Sequence, residues 1–449
     1  MKRQIAVAAA LAATLIGAAA CGSSGGGSTP TSTKSTSTAL SGKGKTLKVW
    51  LMVDAQSGWP QAVTDANNLF TKQTGAAVDV EYQQWTNHLT KVDTTLAGSA
   101  VPDVMELGNT EEPKYVFGGA FADLSASVKD FDNSSTWLSG LSGPCQVNGK
   151  TYCIPYYAGA RVLIYRTDLF KKAGLKPPTT YAEVLSDAAA LQKANSSKKG
   201  FSAFYMPGRY WYAAMSFVYG AGGTIANQAS GGGAWSGNLE SAQSEAGLTQ
   251  WANLTKSYSH GDPTKTEADQ DAIFAQGNSG MLYGNGWELG AVQSQPKDPN
   301  KAGSPAVDTA VKGKVAAVPL PGATAGTPMP SFLGGSDLAV TAKSQNQALA
   351  TKWIEDYTST AIQQELIAKG VLPNATALLP QAAQQPNGAA AAQAAQKSWF
   401  TPAAPNWANV ESANVLPQML QNIVTGKQTV DQAAKAADVQ IAKILNASS

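Results

Sequence analysis

Eleven tryptophans occur among 449 residues, and five of them, Trp59, Trp211, Trp287, Trp399 and Trp407, stand in polar, turn-rich contexts. An indole combines a large apolar face with a single N–H donor, so it suits surfaces that are half wet. Polar side chains gather at the ends of apolar runs: Gln56 and Ser57 follow the first, and Asn109, Thr110 and Glu111 follow the third. Planar amides and carboxylates can fork onto neighbouring hydroxyls while flat rings cover C–H faces. Such a set points to non-covalent recognition of a compact, hydroxyl-rich ligand. Each residue also has a plainer role open to it. Trp50 and Trp353 are expected in the core, Asn109 or Thr110 can cap a helix, and Glu288 can sit at a helix start favoured by the dipole.

Bulk composition narrows the classes. Charged residues make up 14% of the chain against roughly 25% in an average domain, and the formal net charge is +2 without a dense Lys/Arg stripe. A binder that tracks nucleic-acid phosphates would carry one, so no nucleic-acid partner is expected. The two histidines, His88 and His260, lie far apart, and neither a metal site nor a cofactor is expected. At this length one core rarely suffices, which predicts two lobes.

The first residues have the order of an export signal: Lys2 and Arg3, then the apolar run Ile5–Ala20, then AAAC ending at Cys21. Small residues before a cysteine resemble the bacterial lipobox, with Ala18 where Leu is usual. Residues 1–20 are expected as a signal peptide, Cys21 as a lipidated anchor, and residues 21–45, rich in Gly, Ser, Thr and Lys, as a flexible tether. A plain secretory signal is the alternative. Cys145 and Cys153 bracket QVNGKTY, and Asn148-Gly149 is a strong hairpin signal. Outside the cytoplasm such a pair is expected to form a disulfide, with two free thiols as the alternative.

Periodicity places these groups on elements. TLKVWLMV (46–53), AAVDVEYQQW (76–85) and VPDVMEL (101–107) read as strands. Between them, 59–74, with Ala62, Ala66, Leu69 and Phe70 on one face, and 89–96 read as helices. That alternation predicts α/β architecture with a parallel sheet, in which ligands collect beyond the carboxyl ends of strands. Further on, 150–170 reads as a strand carrying Tyr156, Tyr157 and Arg161, and 206–223 as a loop feeding an aromatic helix. GNGWELGA reads as strand, turn and helix, and 331–340 as a strand.

The segments PDVMELGNTEEPKY…GGAFADL, NGKTYCIPYY, MPGRYWY, GNGWELGA, FLGGSDLAV and PNWANVE, in this order, resemble the extracellular solute-binding proteins of sugar ABC importers. Among them the chain is similar to actinobacterial proteins that bind N-acetylglucosamine oligomers such as diacetylchitobiose. The resemblance covers roughly residues 46–445. It implies a two-lobed periplasmic-binding-protein-like fold of type II, joined by crossing hinge strands. The boundaries expected are 46–157 and 281–337 for the first lobe, 158–280 and 338–449 for the second. It implies a non-enzymatic, monomeric receptor at the cell surface that closes on an oligosaccharide and docks on permease transmembrane subunits. The implied ligand-binding residues are Gln56, Ser57, Trp59, Asn109, Glu111, Tyr156, Arg209, Trp211, Asn285, Trp287, Glu288, Gly335, Ser336 and Trp407. The alternative is a secreted glycoside hydrolase, drawing its carboxyl pair from Glu106, Glu111, Glu112 and Glu288.

Overall fold

The computed structural model describes residues 40–86, 88–298 and 304–447. The expected signal peptide, Cys21 and most of the expected tether therefore lie outside the described residues. The end of that tether is already fastened: the Gly42 N–H donates to Thr74 O at 2.7 Å, and the Ala77 N–H to Lys45 O at 2.9 Å.

A mixed sheet of nine strands organises the described residues. β1 (Thr46–Met52) pairs in parallel with β2 (Ala77–Gln83) and β3 (Val104–Gly108). β4 (Cys153–Arg166) is a long strand; β5 (Ser202–Tyr205), β6 (Ser279–Asn285), β7 (Val315–Val318), β8 (Ser331–Val340) and β9 (Ser398–Trp399) complete the set. The order is β2-β1-β3-β8-β4-β6-β5, with β7 added to β4 and β9 to β8. β8 runs antiparallel to both β3 and β4, with its register shifting between Ser336 and Asp337.

β4 and β8 each belong to two cores, which makes them the crossing strands of a two-lobed fold. Ile154 and Tyr156 of β4 and Leu338 and Val340 of β8 pack with Val49, Leu51 and Phe70. Leu163 and Tyr165 of β4 and Phe332 of β8 pack instead with Phe204, Phe217, Met281 and Tyr283. This pairing departs from the expected division. β6 joins β4 and β5 on the second core, whereas the helix Gln347–Tyr357 lies on the first, where its Trp353 Nε1 donates to Asn67 Oδ1 at 2.8 Å.

Local chemistry explains the elements around the cleft. α1 (Val53–Gly58) starts directly after β1, and α2 (Pro60–Thr74) begins with Pro at its first position and ends at Gly75, whose φ is 74°. α2 buries Ala62, Val63, Ala66 and Phe70, while Leu69, expected on that face, is exposed. α3 (His88–Ala97) and α4 (Glu112–Phe117) follow β2 and β3. α5 (Tyr181–Ala194) opens with a capping box between Thr180 and Glu183. α6 (Trp211–Gly220) packs Ala213, Ala214, Met215 and Phe217 into the second core, and α7 (Glu288–Ala291) follows β6. The hairpin at Asn148-Gly149 forms with positive φ at both residues, and the Cys145–Cys153 disulfide closes it. No helix among the described residues is long and apolar enough to cross a membrane.

Candidate functional site

Between the two cores lies a cavity of about 1060 Å³. Small-molecule sites usually span roughly 300–1,000 Å³, so this one has room for more than a single small ring. One wall comes from the ends of β1, β2 and β3: Asp54, Trp59, Trp85, Asn109, Thr110 and Glu111. The opposite wall carries Tyr212, Glu267, Asn285 and Trp287. The crossing strands supply the floor through Tyr157 to Arg161 and through Phe332 and Gly334 to Ser336. Gly335 is required there. Its φ is 143°, and a Cβ would stand 2.1 Å from Tyr157 O, so any side chain would force β4 and β8 apart.

Seven expected residues reach this cavity: Trp59, Asn109, Glu111, Asn285, Trp287, Gly335 and Ser336. Their bonding differs. Asn109 donates both amide hydrogens to backbone, at 2.9 Å to Gly140 O and 2.7 Å to Leu333 O, so it ties the lip of β3 to β8. Trp59 is buried and turns its N–H inward to the Tyr156 hydroxyl, which also bonds Tyr357. Its ring meets Tyr157 edge-on at 5.2 Å between centroids. Glu111 is held through one oxygen only: Oε2 lies 2.9 Å from His88 Nε2 and accepts the Gly108 N–H at 3.0 Å. Oε1 has no partner among the described residues and remains an open acceptor.

The two exposed indoles of the cavity face it from opposite walls. Trp287 is 64% exposed and Trp85 37%. Trp85 donates its N–H to Asp54, and its ring packs edge-on against His88, which fixes the plane while leaving a face bare. Behind Trp287, Glu288 accepts from Asn285 N at 2.8 Å, Asn285 Nδ2 at 3.2 Å and Gln270 Nε2 at 2.9 Å. Glu288 is thus a buried strut that sets the Asn285 amide, and burial raises its pKa to about 7.

The remaining expected residues do not line the cavity. α1 turns Gln56 and Ser57 to solvent and Asp54 inward. Tyr156 points into the first core and its neighbour Tyr157 takes the floor. Trp211 and Trp407 are buried in an aromatic cluster with Trp399 and Phe332. Here Tyr212, not Trp211, reaches the cavity. Arg209 bonds Asn414 Oδ1 at 3.1 Å, away from the cavity. Arg161, which the sequence pattern places on a strand but not among the implied ligand residues, lines the floor. A charge inside the apolar run GARVLIY was the available signal.

Acidic groups crowd beneath the first wall. Glu106 accepts the Met52 N–H at 2.8 Å, and burial pushes its pKa up to about 7. Glu112 and Asp337 are fully buried and face one another, and burial holds both well above the ordinary carboxylate range. Their oxygens and the sulfurs of Cys145 and Cys153 lie within 4.8 Å of one another. Those sulfurs are joined as a disulfide, and only a thiolate is a good metal ligand.

A cleft between two α/β lobes, with exposed indoles on opposite walls and crossing strands at its floor, is the arrangement of a ligand receptor. The chain belongs to the bacterial extracellular solute-binding proteins, whose family pattern it matches over residues 50–364. It is 32% identical to the diacetylchitobiose binding protein DasA of Streptomyces coelicolor, over 99% of each chain. In fold it is similar to the sugar-binding protein MalE of Xanthomonas citri, with a TM-score of 0.72, 23% identity and coverage of 89% of this chain and 97% of that one. It is likewise similar to the GacH receptor of Streptomyces glaucescens, solved unliganded and with acarbose, with a TM-score of 0.70, 20% identity and coverage of 91% and 100%.

Proposed function

We propose that this protein is a lipid-anchored, extracytoplasmic receptor that captures an oligosaccharide, chitobiose-like in size and chemistry, and delivers it to an ABC permease without turning it over. The observation that carries this reading is the pair of bare indoles, Trp85 and Trp287, on opposite walls of one cavity that also holds the open Glu111 Oε1. Indole planes cover the C–H faces of a sugar, and the carboxylate oxygen accepts from its hydroxyls. Contacts to both walls are complete only when the walls approach, so a bound sugar favours the closed form by the difference. The near-full-length similarity to a diacetylchitobiose binding protein supports the choice of sugar, and the AAAC signal at Cys21 supports the anchor.

A tryptophan-fluorescence titration tests the reading against chitobiose, cellobiose, maltose and trehalose, with the solution analysed for cleavage products. Saturable quenching by a disaccharide that is recovered intact is the expected result. N-acetylglucosamine or glucose released in step with added protein would identify a hydrolase instead.

A further inference from the structure

Arg161 is the most constrained cation at the cavity and the least satisfied. It is 5% exposed. Its guanidinium lies 4.7 Å from the Tyr212 ring centroid, 4.9 Å from that of Phe332 and 5.6 Å from that of Tyr210. Nε donates to the Tyr210 hydroxyl at 2.7 Å. Among the described residues Nη1 and Nη2 donate to no protein atom, and Nη1 is fully buried. A buried charge normally carries partners, because desolvating an ion without them is costly. Here the aromatic faces repay part of that cost, yet neither Nη atom has an acceptor among the described residues, and Arg161 lines the cavity.

What should meet them follows from the cavity's other charges. Asp54, Glu111 and Glu267 stand against Arg161 and Lys369 on the lining, so the site is already acidic by one and disfavours a carboxylate ligand. A hydroxyl is a weak acceptor for a dehydrated guanidinium and brings a donor of its own. An amide oxygen accepts two hydrogen bonds and brings no charge. Ala160, Phe332 and Tyr212 beside Arg161 provide apolar surface for a methyl group. On the reading that the ligand is a sugar, we propose that Arg161 is the specificity-determining residue of this site, donating through its Nη atoms to the carbonyl oxygen of an acetamido group on the sugar ring.

The test compares two disaccharides with one β-1,4-linked skeleton, chitobiose with acetamido groups and cellobiose with hydroxyls, by calorimetry on the parent protein, Arg161→Met and Arg161→Lys. Methionine keeps an apolar stem against Tyr212 and Phe332 and removes every donor, and thermal melting of each variant reports its folding. The parent should prefer chitobiose. Arg161→Met should lose about 10–100-fold for chitobiose, the span of a hydrogen bond to a charged group, and less than about threefold for cellobiose. Arg161→Lys should fall between, since a single ammonium cannot present the fork. Equal losses for both sugars, or an unchanged preference, would overturn the assignment and leave the receptor reading standing. Tighter parent binding of a uronic-acid disaccharide than of chitobiose would overturn it in favour of a carboxylate. A parent that binds none of the three would sink the receptor reading, and the assignment with it.

Discussion

His88 Nε2 stands 2.9 Å from Glu111 Oε2, and the contact decides which carboxylate oxygen faces the cavity. His88 is itself pinned by its second nitrogen, 2.7 Å from Trp85 O. One imidazole therefore organises both the acceptor and the segment carrying an exposed indole. Two elements separated by more than twenty residues are set by it.

The pair has a pH dependence with a definite sign. Burial works against the charged imidazole, but the hydrogen bond and charge of Glu111 outweigh it and raise the His88 pKa. A raised folded-state pKa means that the pair's stabilisation is present below the ordinary histidine value, about 6.5, and is lost as pH rises through the folded value. Ligand affinity should accordingly weaken severalfold from pH 6 to pH 9. In His88→Ala the affinity should be lower at pH 6 and nearly flat over that range. Calorimetry at several pH values checks this, and a parent profile as flat as the variant's would refute it.

Trp211 and Trp287 should behave oppositely. Trp211 is 7% exposed and packs with Tyr212, Phe332, Trp399 and Trp407. Trp211→Ala should destabilise the fold by about 3–5 kcal/mol, as large buried-aromatic deletions do, in a denaturant titration. Trp287→Ala, at an exposed position, should change stability by less than about 0.5 kcal/mol.

Glu106 supplies a second pH signature. Its raised pKa, about 7, means that the folded state holds a proton that the unfolded chain releases near the ordinary carboxylate range. Its contribution to stability is complete below that range and lost as pH rises through about 7. The amount is roughly 3 kcal/mol by linkage. Glu106→Gln, which keeps a neutral side chain, should therefore reduce the decline in unfolding free energy between pH 5 and pH 8. An unaltered slope would show that Glu106 ionises normally.

The Cys145–Cys153 bridge closes a short loop over the hairpin. A loop of that size constrains the unfolded chain by roughly 2–3 kcal/mol. Reduction should lower the melting temperature by that measure and leave ligand affinity within about twofold, since neither cysteine lines the cavity. Melting curves with and without reductant provide the check.

The α/β alternation and the strand ends were legible because hydrophobic period and turn residues report them directly. The side of each element was harder. Tyr156 and Tyr157 have equal claims by type, and only the packing of Tyr156 against Tyr357 decides that Tyr157 faces the cavity. The same one-residue ambiguity exchanged Trp211 for Tyr212. Gln56 and Ser57 follow β1 in sequence, but α1 starts at once and rotates them outward. Arg161 was visible as a charge in an apolar strand, but its unpaired Nη atoms depend on Tyr210, Tyr212 and Phe332 arriving from far along the chain. A strand that changes core midway carries no mark of it in its own residues.

The most direct measurement titrates chitobiose into the parent, Glu111→Gln and Trp287→Ala by calorimetry, since these side chains come from opposite walls. Each variant should keep its fold and lose at least about tenfold in affinity for the same sugar. Parent-like affinity in either variant would contradict a single ligand held between the two walls.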